Sequence, residues 1–409
     1  MKAPSSLAEG VVLDEACGET RTLTFLCVAA FASMASMRCG DSLLPALALE
    51  FSTTPGEAAG VISAFALAYG LLQLFYGPMG DRYGKFRVVS LATLGCTAGA
   101  LAAAIAPSID WLRASRLLSG AAAAGIIPLI MAWIGDNVPY QRRQEVLAKL
   151  LGATVSGMIA GQWIGGLLAD TLGWRAVFVM LALLFAGSGV LLGREQRKKP
   201  QIPAHGPGMS PLALTGAVLA RPWARKVLGV TFVEGALAFS ALAFVPSHLH
   251  LRFGLSMTAA GAVLALYGIG GLIYTRLAGR LLRRLGEKRL AGLGGASLAV
   301  AFGVLAVLSQ WQWALPACLL GGLGFYALHN TLQTHATQMA PMARGTAVSL
   351  FASSLFFGQA LGIAGAAWVV DRFSAVPVFA AAALGLLLVS ATFVWLLVAR
   401  DRATVRKVP

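Results

Sequence analysis

Long apolar runs alternate with short polar joints along the whole chain. The runs cover about residues 23–48, 58–79, 88–106, 117–134, 146–168 and 176–192, then 227–246, 259–277, 290–308, 315–332, 348–370 and 378–398. Each has roughly the 17–25 residues with which a helix crosses ~30 Å of hydrocarbon. None alternates with the period of two expected for a barrel strand, and lipid leaves no other way to satisfy the backbone. The pattern predicts an all-α membrane protein of twelve transmembrane helices. Six lie on either side of a polar stretch, 194–226, that holds Arg194, Arg197, Lys198, Lys199, Pro200, Pro203, Pro207, Pro211 and Pro222. The expected division is a disordered tail (1–20), a six-helix bundle (21–193), a cytoplasmic linker (194–226), a second bundle (227–399) and a tail (400–409).

Composition agrees. Hydrophobic residues make up 57%, charged ones 12%, and the mean hydropathy is +0.74, against roughly a quarter charged in soluble domains. The net charge of +15 raises a nucleic-acid reading, but the bases sit in joints between apolar runs and form no continuous face. Their placement instead sets topology. With both termini inside, only Arg38, Arg113, Arg116, Arg175, Arg252 and Arg372 of the 32 Lys and Arg fall outside cytoplasmic segments, the bias expected of a cytoplasmic side. The first twenty residues carry four acids and one Lys, too polar for a secretion signal. Cys17, Cys27, Cys39, Cys96 and Cys318 have no metal or redox spacing and read as packing residues.

The halves repeat. Residues 77–87 (Gly-Pro-Met-Gly-Asp-Arg-Tyr-Gly-Lys-Phe-Arg) return as residues 279–289, with Gly77, Arg82, Gly84 and Arg87 matched by Gly279, Arg284, Gly286 and Arg289 at an offset of 202. Gly120, Pro139 and Arg142 match Gly322, Pro341 and Arg344 at the same offset. Gly161-Gln162-Trp163-Ile164-Gly165 answers Gly358-Gln359-Ala360-Leu361-Gly362, and after each pair comes an Asp, Asp170 or Asp371, at the outer end of its span. Two parallel repeats in one membrane protein point to two related bundles around a central site.

These motifs resemble the major facilitator superfamily over nearly the whole chain. Residues 77–87 look like its signature loop, and Arg116-Leu117-Leu118-Ser119-Gly120 looks like its span-four motif. Gly157, Gly161, Gly165, Gly166 and Gly173-Trp174-Arg175 look like the span-five motif of the drug/proton antiporter branch, with Gln162 where that motif usually has Pro. Asp41-Ser42-Leu43-Leu44-Pro45, Phe232-Val233-Glu234-Gly235 and residues 325–333 also look like the bacterial efflux branch. The resemblance implies two pseudo-symmetric six-helix bundles, alternating access, proton-coupled efflux of drugs or metabolites, and a place in the bacterial inner membrane as a monomer.

Of seventeen Asp and Glu, only Asp41 and Glu234 fall inside spans. A carboxylate there must face a cavity, pair with a base or turn neutral, so both are candidates for proton coupling or for substrate. Arg38, three residues before Asp41, shares its helical face and reads as its partner. Arg116 is either a snorkelling anchor or, by the family motif, a tuner of a nearby carboxylate. Gln162, Gln359, His329, Asn330 and Trp163 are cavity candidates, each with packing as the plain alternative, and so are Tyr69, Phe325 and Tyr326. In the loop, Gly77, Asp81, Arg82, Gly84 and Arg87 form a candidate cytoplasmic gate, Asp81 bonding to a helix start or an Arg across the halves. Asp136 and Arg142 are further members. The copy has Arg283 in place of Asp81, so the acid belongs to the first half alone.

No Gly-x-x-x-x-Gly-Lys-Ser/Thr, His-Glu-x-x-His or nucleophile elbow occurs. The expected function is therefore not enzymatic: a secondary transporter that needs no cofactor beyond a proton gradient and no metal. Its partners are a small molecule, protons and the bilayer. The alternatives are a proton symporter taking up a sugar or metabolite, and a transporter-like sensor that moves nothing.

Overall fold

The computed structural model describes residues 6–198 and 211–405. Every regular element among them is helical: α1 (Ser6–Glu50), α2 (Pro55–Tyr83), α3 (Lys85–Ala104), α4 (Ile109–Ala123), α5 (Ile126–Asn137), α6 (Tyr140–Thr171), α7 (Trp174–Lys198), α8 (Pro211–Leu219), α9 (Pro222–Phe253), α10 (Met257–Ala306), α11 (Ala314–Gln338), α12 (Arg344–Arg372) and α13 (Val376–Val405), with two short 3-10 turns. α1 starts inside the stretch expected as a tail, since no Pro interrupts the chain between Ser6 and Pro45. The expected linker holds the end of α7, all of α8 and the start of α9. Its middle, 199–210, and residues 1–5 and 406–409 lie outside the described residues.

Ten of these helical stretches, not twelve, are long and apolar enough to cross a membrane, among the described residues. The difference has two causes. α11 is 25 residues long but holds His329, Asn330, Gln333, Thr334 and His335 near its end, which dilute its apolar run. α10 is fifty residues broken at Gly286 (φ 71, ψ 165). Its arms fold back on each other along α11: a Cβ on Gly321 would touch both Tyr267 and Ala301, and Tyr274 and Leu290 meet at Ala327. Gly84 makes the matching turn between α2 and α3 at φ 90. Both positions need a positive φ that glycine adopts without a Cβ penalty, which is why the repeat carries glycine at each.

The repeat is also a repeat of packing. A Cβ on Gly157 or Gly161 of α6 would stand 2.2 or 2.5 Å from the carbonyl oxygens of Phe31 and Ala35 on α1. In the second half Gly358 and Gly362 of α12 lie as close to Phe232 and Ala236 of α9, at 2.0 and 2.2 Å. Gly120 on Phe65 (2.3 Å) is matched by Gly322 on Tyr267 (2.0 Å). In lipid, where apolar burial does not drive helices together, such backbone approach supplies the packing energy. Gly358→Leu should therefore pry α12 from α9 and cost several kcal/mol, as overpacking at a backbone contact does. The check is the yield of monodisperse protein after detergent extraction; a normal yield and melting temperature would contradict the packing account.

The halves meet through α2 with α12 and α6 with α10. At the end away from the Gly84 and Gly286 turns, hereafter the cap end, two carboxylates cross between halves. Asp170, at the end of α6, accepts from the backbone N–H of Met257 (3.2 Å) and Thr258 (2.7 Å) and from Thr258 Oγ1 (2.6 Å). Asp371, at the end of α12, accepts from Gly56 N–H (2.8 Å) and Thr54 Oγ1 (2.7 Å). Each acid thus caps the first turn of a helix in the other half, where the N–H groups lack intrahelical partners. Tyr69 on Phe356, with ring centroids 4.4 Å apart, joins the halves midway along α2 and α12.

Candidate functional site

Two buried ionisable clusters lie inside the helices, one in each half. In the first, Arg38 and Asp41 stand on one face of α1 with Nη1 and Oδ2 3.7 Å apart, both side chains buried, as the spacing predicted. Neither Asp41 oxygen completes a hydrogen bond, although the Gln162 side chain of α6 lies beside the carboxyl. The Gln162 backbone is also tightly held. Its carbonyl accepts from Ser42 Oγ at 2.5 Å, and a Cβ on Gly261 of α10 would stand 2.3 Å from it.

Arg116 is no surface anchor. It is 1% exposed, seven residues into α4, with its guanidinium 4.3 Å from the Phe65 ring and 5.8 Å from that of Phe178. Nη1 donates to Ser36 Oγ (3.1 Å) and Nη2 to the Ser36 carbonyl (2.7 Å). A buried cation must be hydrogen-bonded or paired, and α1 supplies those bonds from the turn just before Arg38. The charges of Arg38, Asp41 and Arg116 therefore lie along one segment of α1.

In the second half, Glu234 on α9 is fully buried. Its Oε2 is 2.9 Å from His329 Nδ1 on α11, and its Oε1 has no partner. The His329 ring is stacked on Phe325 (5.0 Å between centroids, 10° between planes) and tilted against Phe351 at 5.2 Å. Phe325 in turn meets Phe239 at 5.3 Å and Tyr267 at 5.9 Å. Phe239 closes the link to the first half: the Arg38 guanidinium lies 4.4 Å from its ring centroid. A chain of contacts thus runs from Asp41 through Arg38, Phe239, Phe325 and His329 to Glu234. Glu234 is nineteen residues from the end of α9 and Asp41 nine from the end of α1. At 1.5 Å per residue, the two carboxyls differ in depth by roughly 15 Å.

The other candidates divide. Gln359 is 1% exposed with its Oε1 unpartnered, but the glycine contacts set Gly161 against Gly362, so it does not occupy the place of Gln162 as the sequence match had it. Asn330 turns to Tyr274 on α10 rather than to Glu234. Trp163 is 45% exposed beside a buried Gln162, and the structure does not bring it into the cluster. Tyr326 packs on Phe325 at 5.7 Å.

At the turn end the polar group lies inside the first half. Lys85 reaches Asp81 at 3.7 Å and forms an ion pair with Asp136 of α5. Arg82 stacks on neighbouring Tyr83 at 5.3 Å. Arg87 is exposed, and a Cβ on Gly77 would meet nothing within 4 Å. Asp81 is thus held by Lys85 one turn on, and among the described residues no residue of the second half pairs with it. Arg142 begins the first turn of α6, its N–H donating to the Pro139 carbonyl at 2.9 Å. Lys85 was legible only as a topology residue, because sequence spacing shows its i, i+4 partner but not Asp136, fifty-one residues away.

Phe239 and Ser36 carry no sequence signal, being one apolar and one small residue among many. Asp170 and Asp371 had one, in their matched places after the glycine pairs.

The family described as the Major Facilitator Superfamily matches residues 26–352. A probable transporter of Streptomyces coelicolor is 30% identical over 80% of this chain and 76% of its own. The chloramphenicol resistance protein of Streptomyces lividans is 28% identical over 78% of this chain and 81% of its own. Among solved structures, a bacterial homologue of the human lysosomal transporter Spinster, in an inward-facing and unoccupied conformation, superposes with a TM-score of 0.70. It covers 93% of this chain and 95% of its own at 18% identity, a likeness of fold.

Proposed function

The chain belongs to the Major Facilitator Superfamily, a family of multi-pass membrane transporters rather than enzymes, and from that premise we propose that it exports small organic compounds in exchange for protons. The observation that carries the reading is Glu234: a fully buried carboxyl with one oxygen on His329 and the other free. A carboxyl inside a span with one oxygen unpartnered is placed to meet a proton or a ligand.

Counting α10 as two spans at its Gly286 break and α11 as one gives twelve, six per half. The Lys and Arg bias puts the turn end and both termini in the cytoplasm of a bacterial inner-membrane protein. The Asp170 and Asp371 caps then hold the outer side closed. Protons arriving from outside neutralise Asp41 and Glu234 and release substrate. Reorientation and proton loss to the cytoplasm ready both carboxyls for the next substrate. The Asp81–Lys85–Asp136 group is free in this state to re-pair with the second half when the inner side closes. The protein acts as a monomer with no cofactor beyond the proton gradient. Kinship with a chloramphenicol resistance protein supports export over uptake.

The test is transport in inverted membrane vesicles with an acidic lumen. Chloramphenicol and a panel of toxic compounds are added, and the pH gradient is followed by a fluorescent amine. Export predicts compound accumulation with partial collapse of the gradient. Proton-driven uptake into right-side-out vesicles would replace export by symport. Absence of substrate-linked proton flux in proteoliposomes would remove transport altogether.

A further inference from the structure

The first arm of α10 ends in a row of arginines. Arg276, Arg280, Arg283 and Arg284 follow at i, i+4, i+7 and i+8, and all are exposed. That spacing gathers them on one face of a helix. The face is defined by the rest of the arm. Tyr267, Gly271 and Tyr274 turn to α11, meeting Gly322, Tyr326 and Ala327. At 100° per residue, Arg283, Arg276 and Arg280 lie about 180–240° round from Tyr274, so these three point away from α11, with Arg284 at the edge of the row about 80° from Tyr274. None of the four makes a hydrogen bond or ion pair among the described residues. The only acid of α10, Glu287, turns instead to His335 at 3.3 Å.

Two further observations single the row out. First, its depth: α10 begins at Met257 under the Asp170 cap, and about 20 residues of helix cross the hydrocarbon. Arg276 therefore emerges where the far headgroup layer begins, and the row climbs ~10 Å through that layer to Arg283. Second, its origin: at the repeat offset of 202, Arg276, Arg280 and Arg283 stand where the first half has Leu74, Pro78 and Asp81. In the first half Lys85 is neutralised by Asp81 and Asp136. Arg276, Arg280 and Arg283 are thus not part of the shared loop motif, whereas Arg284 answers Arg82. A general excess of positive charge in the loop explains neither the row's alignment nor Arg276 inside the apolar run.

We propose that Arg276, Arg280, Arg283 and Arg284 form a binding site for the headgroup phosphate of an anionic phospholipid on the outer face of α10. Guanidinium forks match phosphate oxygens in geometry as well as charge, and each Arg near an anionic surface adds to the attraction. The site needs no transport step, so its failure and the failure of the transport reading are separable.

The experiment places the full-length protein in phosphatidylcholine vesicles with spin-labelled phosphatidylglycerol or phosphatidylcholine. It reads the relative association of the two lipids from the motionally restricted fraction. The wild type should prefer phosphatidylglycerol several-fold. Arg276→Gln/Arg280→Gln/Arg283→Gln should bring the ratio close to one. Arg221→Gln/Arg225→Gln/Lys226→Gln, at the start of α9, should leave it unchanged. If the first triple variant fails to insert, Arg280→Gln alone must still lower the ratio, and an unchanged ratio overturns the site. Equal losses in both triple variants would reduce the effect to bulk charge and overturn it as well. Displacement of the lipid by millimolar inorganic phosphate would make it a soluble-anion site instead.

Discussion

Glu234→Gln is expected to abolish substrate-driven proton movement while the protein stays folded in the membrane. The substitution keeps the shape and one hydrogen-bonding oxygen toward His329, so the stability change should be about 1 kcal/mol, the scale of a single altered hydrogen bond. It removes the only group of α9 that can gain and lose a proton within the buried cluster, because a Gln amide does not titrate. In proteoliposomes, counterflow of labelled substrate down its own gradient should survive, whereas flux driven by a pH gradient should fall to the protein-free background. Wild-type pH dependence in this variant would take Glu234 out of the mechanism and leave Asp41 as the sole carrier. The free Oε1 is the reason for ranking Glu234 first. Asp41 already has a guanidinium at 3.7 Å on its own helix, whereas Glu234 Oε1 has no partner.

The second large effect is expected at the cap end. Asp170→Ala together with Asp371→Ala should shift the protein toward the state open at that end. Each acid caps a helix of the other half, and loss of a cap costs typically ~1 kcal/mol. Two independent losses are then about 2 kcal/mol, or roughly a 30-fold change in the equilibrium between states. Spin labels at Leu172 and Leu251, exposed near the two sides of the Asp170 contact, would report the change as a longer distance population in the double variant. An unchanged distribution would show that the apolar contacts along α6 and α10 hold that end closed without the caps. The single variants should each move the distribution by about half as much in free energy.

The helical class and the close glycine contacts were legible because each follows from a local rule. Apolar runs of a fixed length must be helices in lipid, and a glycine repeated at the same offset marks the same turn or crossing twice. Gly84 and Gly286 both take a positive φ, and Gly161 and Gly362 both lie on a neighbouring backbone, so the packing pairs Gly161 with Gly362 and not with Gly358 as the sequence match had it. The Arg38–Asp41 pair was legible for the same reason, since i, i+3 spacing is a property of one helix. The count of spans was less secure. Hydropathy sums over a window, and the polar residues that α11 contributes to the site are the ones that lower its sum.

Sequence alone determined which charges inside the spans are expensive to bury, Asp41, Glu234 and Arg38, while the burial of Arg116 (1% exposed) was decided by the structure. Only the tertiary structure decided their partners. His329 faces Glu234 across ninety-five residues, Arg38 rests on Phe239 of the other half, and Asp81 pairs within its own half rather than across the interface. The physical reason is that cost is set by the medium, which composition reveals. Compensation is set by which helices touch and by their rotation about their axes, and no periodicity within a single helix carries that information.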